Sequence, residues 1–434
     1  MSNKQFLFCF LAVVAALTAG AWWTDQLQSQ RPSYPTTLQI RPFNYPSTKP
    51  ATTQPAPQAP AKKTIRVGLA QDRGDQFTLA VDGAFSLRRV GEIAAIEKLP
   101  KLAATRVVPT KKGIRIGGKE YAETKLEVVP ETSPDVWVDG HEYRGTVRIL
   151  RKSERAIQTV NVLPVDEYLA SVVDSEMPAE FGEAARQAQA IVARTYAQYQ
   201  MQQSGAGSPY DLHASTRSQK YLGFQYRADG GRLLAGESAD SRRIVAETRG
   251  QVLTSRGRLF CTYYCAVCGG HTLNGSELFA DAAAPLRSVP CTWCEPARNY
   301  RWSVEIPKAT FADAAQSYFR QKGIEFGRLR SVRSVGTTPS GELPEFELRG
   351  DRSTQRITGD ALRKMLWDHG VLSPRLSVTE QKSTWLVAGS GHGHGAGMCQ
   401  WGARGMGQSG KTHRQILSHY YPGAEVTSLS VVSQ

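Results

Sequence analysis

Between Gly391 and Ala403 the chain reads Gly-His-Gly-His-Gly-Ala-Gly-Met-Cys-Gln-Trp-Gly-Ala. A core has little use for such a run, because glycine packs no side chain and loses more freedom on folding than any other residue. Alternating glycines instead let backbone approach a ligand closely while His392, His394 and the amide of Gln400 project from it. Cys399 beside two histidines has the ingredients of a Cys–His thiol hydrolase. The plainer alternative is a small buried residue. A Cys399→Ser exchange separates the two, since it kills a thiol enzyme and leaves other chemistry nearly untouched.

A second constellation lies upstream. Cys265-x2-Cys268 and Cys291-x2-Cys294 are two knuckles of the kind that hold tetrahedral zinc, each giving two thiolates from one tight turn. The expected ligand set is Cys265, Cys268, Cys291 and Cys294, with Cys261 and His271 as spare candidates. The same four cysteines could instead form two disulfides in an exported protein.

The elements that must position these groups can be read coarsely. Lys4, the apolar run from Phe6 to Leu17 and the small residues Ala19-Gly20-Ala21 have the layout of an export signal or single anchor over residues 1–24. This predicts an extracytoplasmic protein that meets a membrane only through that segment. Prolines punctuate residues 25–63, which read as an extended tether. From residue 64 to 160, short runs such as Ile65–Leu69, Phe77–Val81, Gly113–Ile116, Leu126–Val129 and Gly145–Leu150 predict a β-rich domain. Helix periodicity begins near Leu163, with apolar residues at 165, 169, 172 and 173, and a turn is expected at Ser175–Pro178. A long helix follows from Ala179 to about Gln203, and a short one spans about Thr412 to Tyr420. After Gly250 the pattern returns to short strands and glycine turns. The expected class is α+β: a β-rich N-terminal part, a helix-containing catalytic part over residues 161–434, and a further β-rich C-terminal segment.

Composition narrows the partners. The formal net charge of +14 over 434 residues suits an anionic polymer. The basic residues are scattered, and no zinc-finger or helix-turn-helix pattern stands out, so nucleic acid is not expected.

Two signatures carry a resemblance. Gly393–Ala403 resembles the Gly-His-Gly-x-Gly-Met-Ser-Gln-x-Gly-Ala motif of the stage II sporulation protein D and amidase-enhancer family, with Cys399 in place of serine and Trp401 in place of tyrosine. Asn161–Ala179 and the helix Ala185–Ala197 resemble its other signature, and Tyr210-Asp211, Gln219-Lys220-Tyr221 and Glu247–Leu253 follow in family order. The resemblance implies a lytic transglycosylase that cuts peptidoglycan glycan strands between N-acetylmuramic acid and N-acetylglucosamine, leaving a 1,6-anhydro product. It also implies Glu176 as catalytic acid and base, with His394, Gln400, Gln219, Tyr221 and Arg194 as substrate-binding candidates. The family alternative is a non-catalytic enhancer of a cell-wall amidase. Some members bind zinc just before the Gln-x-Tyr element, but His213–Ser218 lacks those ligands here.

The chemistry of Glu176 is consistent with that role. Met177 and Phe181 flank it, and an apolar setting raises a carboxyl pKa by penalising the charged form. The competing reading is a carboxylate that caps the following helix.

Overall fold

Alternation of branched and polar residues makes the first half of the molecule a strand protein. Thr64–Gly68 pairs antiparallel with Ala156–Pro164, placing Ile65 opposite Leu163 and Val67 opposite Asn161. Phe77–Val81 buries Phe77, Leu79 and Val81 on one face and leaves Thr78 outside. The computed structural model describes residues 64–432 apart from 70–73, 133–135 and 206. The expected export segment and proline-rich tether lie outside the described residues. No described helix is long and apolar enough to cross a membrane.

The fold is mixed α+β, with seven α-helices and several sheets among the described residues. One sheet has seven strands in the order Leu212–His213, Thr64–Gly68, Ala156–Pro164, Thr146–Ser153, Lys125–Pro130, Phe85–Arg89, Ala95–Leu99. A second, of eight strands, is centred on Val136–Val138, Phe77–Val81 and Leu102–Pro109. Residues of both sheets share one core, including Val67, Leu79, Phe85, Val107, Leu126, Val138 and Ile149. Strands such as Leu102–Pro109 escape a pattern search because their first half is exposed and carries no apolar alternation.

The strand Ala156–Pro164 runs across the expected boundary at residue 160 and straight into α1 (Val165–Glu176). Tyr168, Leu169, Val172 and Val173 of α1 join the sheet core, so sheets and helix are packed as one body. The expected helix from Ala179 is interrupted. A 3₁₀ turn spans Ala179–Phe181, Gly182 takes φ 82°, and α2 begins only at Glu183 and runs to Gln203. The interruption follows from Gly182, whose positive φ is a conformation that other residues rarely adopt.

Helix α2 divides two cores. Ala190, Ala193 and Ala197 face the sheets. Ala185, Ala188, Ile191 and Val192 face a second core built from Phe260, the cysteines, Met398, Ile416, Leu417 and Tyr420. Its alanines leave room for tight packing on both sides, which explains a helix with thirteen buried residues.

Past Gly250 the structure is more helical than the sequence suggests. Following α3 (Ala239–Glu247) come α4 (Lys308–Gln321), α5 (Gly359–Met365), α6 (Gln400–Gln408) and α7 (His413–Tyr420). Helices α4 and α5 pack with two three-stranded sheets around Phe311, Phe319, Phe346 and Trp385, forming a third core. The strand Thr384–Ser390 from this region leads directly into the glycine–histidine loop. Thr412 caps α7 through a reciprocal capping box with Gln415, the helix expected from sequence.

Candidate functional site

Glu176 is the last residue of α1, and its partly buried side chain accepts two hydrogen bonds from distant segments. The backbone N–H of Lys220 donates to Oε1 at 2.8 Å. The Gln400 amide donates to Oε2 at 3.3 Å and also reaches Gln189 Oε1 at 3.5 Å. The two signature segments, 224 positions apart, therefore meet on one carboxyl group. Neither bond comes from the backbone N–H groups that open the following 3₁₀ turn or α2, and neither of those has a side-chain cap. The capping alternative is therefore set aside.

The electrostatics shift the group toward holding its proton. Burial raises the Glu176 pKa, and the donors from Lys220, Gln400 and Tyr264 only partly oppose it. Its place at the carbonyl end of α1 adds to the penalty on negative charge. Among the described residues, the groups acting most strongly on it include no second carboxylate.

Tyr264 joins this site without having been foreseen. Its hydroxyl accepts from Gln219 Nε2 at 3.4 Å, while Gln219 Oε1 accepts from Tyr168 at 3.1 Å. The Tyr264 hydrogen is thereby left for Glu176. Gln219 is fully buried behind this tyrosine. Its geometry is that of a positioning residue and not of a sugar contact.

Two other candidates have structural tasks. Tyr221 is buried between the rings of Tyr143 and Tyr168, and its hydroxyl donates to Asn161 Oδ1 at 2.8 Å. Arg194, 1% exposed, donates to the carbonyls of Thr248 at 2.9 Å and Val245 at 3.1 Å and pairs with Asp166. A guanidinium committed to protein acceptors has little left for a ligand, which corrects the expectation for both residues.

The glycine–histidine loop is also explained differently from the sequence expectation. Gly391, Gly393, Gly395 and Gly397 all have φ between 68° and 100°. A Cβ on Gly397 would stand 1.8 Å from the Tyr263 carbonyl, and one on Gly391 would stand 2.6 Å from that of Val267. The close approach is to the chain's own backbone. His392 exchanges two backbone bonds with Val267 and sets Nδ1 3.1 Å from the Asn299 amide. His394 Nδ1 accepts from the Ala396 N–H at 3.1 Å, and its ring packs edge-on against Phe279 and Tyr263. Burial and the nearby Arg363 charge push its pKa down to about 4, so the imidazole is neutral at physiological pH.

The cysteines depart from the expected set. The sulfurs of Cys268, Cys291, Cys294 and Cys399 all lie within 4.8 Å of one another, and Cys265 is not among them. Cys265 sits in an extended strand, Tyr264–Cys265, which pairs in parallel with Met398–Cys399. A knuckle needs both cysteines on one tight turn, so Cys399 from the neighbouring strand takes the place of Cys265. Its sulfur accepts the N–H of Cys268 and of Gly402, each at 3.3 Å, and caps α6. This buried place does not suit a thiol nucleophile. Cys261 lies apart, against the Gln200 amide.

A mixed α+β scaffold gathers two remote motifs around one carboxyl, and sequence comparison shows what such a chain is similar to. Residues 153–255 match the family described as Stage II sporulation protein, and residues 293–397 match a domain of unknown function. The match and the relatives support the resemblance to the stage II sporulation protein D and amidase-enhancer family. An uncharacterized protein of Brachyspira hyodysenteriae is 27% identical over 371 residues, covering 85% of this chain and 94% of its own. Stage II sporulation protein D of Bacillus subtilis is 27% identical over 278 residues, covering 63% of this chain and 77% of its own. The amidase enhancer of the same organism is 23% identical over 407 residues, covering 84% of this chain and 53% of its own.

Proposed function

We propose that the protein is a peptidoglycan lytic transglycosylase of the bacterial cell envelope, with Glu176 as its acid and base. The observation that carries this reading is the meeting of Gln400 and the Lys220 amide on a carboxyl whose pKa burial raises. Hydrolytic glycosidases pair two carboxylates, one to activate water or attack the sugar. A transglycosylase needs one, because the C6 hydroxyl of the muramic acid attacks its own anomeric carbon.

Glu176 gives its proton to the bridging oxygen as the C1–O4 bond breaks. The resulting carboxylate takes the proton of the C6 hydroxyl as the C1–O6 bond forms. No water is consumed, and the acid is regenerated. Gln400 and Tyr264 stabilise the transient carboxylate, while His394, being neutral, can offer no charge to the sugar. The excess of basic residues suits an anionic wall polymer.

Digestion of purified glycan strands followed by mass spectrometry tests this. Anhydro-muramyl fragments that disappear in Glu176→Gln are the expected result. The similarity to an amidase enhancer along most of this chain supports a second reading, a wall-binding activator of a partner amidase. That reading predicts no anhydro products from the wild type and faster amidase action on its addition.

A further inference from the structure

We infer that Cys268, Cys291, Cys294 and Cys399 form a closed tetrathiolate site for one zinc ion, and that its fourth ligand comes from the glycine–histidine loop. Four sulfurs that are all mutual neighbours suit one central ion better than two separate bonds. With Zn–S bonds of about 2.3 Å, a regular tetrahedron has sulfur–sulfur edges of about 3.8 Å. The Cys268–Cys294 separation is 3.7 Å, close to such an edge and well beyond the ~2.05 Å of a disulfide.

The surroundings are built for thiolates. Cys399 receives two backbone N–H bonds and stands at the N-terminus of α6, both of which favour the charged sulfur. The hydroxyl of Tyr420 lies 3.1 Å from Cys291 Sγ. Cys268 is followed by Gly269 and Gly270, both at positive φ, which turn the chain sharply away from the sulfur. Gly402 lets α6 press onto the cluster, since a Cβ there would lie 2.6 Å from Cys291 Sγ. All four cysteines are at most 3% exposed, leaving no open position for substrate or water. The site is therefore structural and not catalytic.

Its position gives it a second consequence. Cys399 immediately precedes Gln400, so a bound ion would anchor the turn that delivers the Gln400 amide to Glu176. This consequence rests on the function proposed above, whereas metal content does not, so the two can fail separately.

The test is metal content of the full chain, purified under reducing conditions, measured by plasma mass spectrometry. One zinc per chain is expected for the wild type and for Cys261→Ser and Cys265→Ser. Cys399→Ser and Cys268→Ser should lose it. Cys399→His, which supplies another zinc ligand, should retain the ion, and its cobalt form should show altered ligand-field bands against a tetrathiolate spectrum for the wild type. These bands keep the proposal testable if the serine variants do not fold. Retention of zinc by Cys399→Ser with loss in Cys265→Ser would overturn the ligand set. A metal-free wild type whose mass is four hydrogens short would replace the ion with two disulfides.

Discussion

The two ends of α1 carry acids in opposite circumstances. Asp166, in the first turn, lies where the helix dipole favours negative charge, and it pairs with Arg194 and Arg249 at 3.3 Å each. Glu176, the last residue, lies where the dipole opposes charge, and its hydrogen-bond partners are a backbone amide, a glutamine and a tyrosine. The first arrangement holds a charge in place. The second shifts the carboxyl toward holding its proton. Strong partners on a buried polar group mark structure, whereas neutral donors at the unfavourable end of a helix mark a group whose protonation state is meant to change.

The sharpest way to break this contrast is Glu176→Gln, which should lower glycan cleavage by about 10²–10⁴-fold while the protein stays folded. Measurable cleavage at near wild-type rate would remove Glu176 from the chemistry. Next in size is Arg194→Met. It strands the Thr248 and Val245 carbonyls and should cost about 2–4 kcal/mol in chemical denaturation, with activity per folded molecule preserved. A loss of activity without loss of stability would return Arg194 to the substrate.

Gln400→Leu should act more gently and with a diagnostic sign. Gln400 lowers the Glu176 pKa, so its removal raises it further. Because the acid must be protonated, kcat/KM falls as pH rises through that pKa, and the alkaline limb of the profile should move to higher pH. A shift the other way would contradict the role of the amide.

The smallest effects concern stability. The folded Glu176 carboxyl binds its proton more tightly than the unfolded chain does, so stability is lost as pH rises from about 4.3 through the raised folded value. Glu176→Gln should flatten that dependence and leave the protein slightly more stable than wild type at neutral pH. Asp166→Asn should do the opposite at the other end of the helix, costing about 0.5–1 kcal/mol. Thermal melts of both variants at neutral pH would read the two signs, and equal signs would dissolve the contrast.

Much of the scaffold is visible in local pattern. Phe77–Val81 and Thr64–Gly68 alternate cleanly because one face is buried, and α7 carries its capping box in plain view. The break at Gly182 and the helices α4 and α5 are harder to read. A single glycine within an alanine-rich run does not announce a positive φ, and α4 shows only Phe311, Ala315 and Phe319 buried among small and polar neighbours. The strands that escaped notice are those whose outer halves meet solvent, where polarity hides the period.

For the site, the family resemblance pointed to Glu176 and Gln400, and spacing by itself pointed to two pairs of cysteines. Which groups share a locale was another matter. The exchange of Cys265 for Cys399 depends on the register of a two-residue parallel pair, and the roles of Tyr264 and the Lys220 amide depend on a loop crossing the end of α1. Hydrogen bonds and sulfur clusters act over a few ångströms between segments separated by 44 to 224 positions. Composition and spacing encode the chemistry a chain can perform; the packing of α2 between two cores sets which of those groups come within reach of one another.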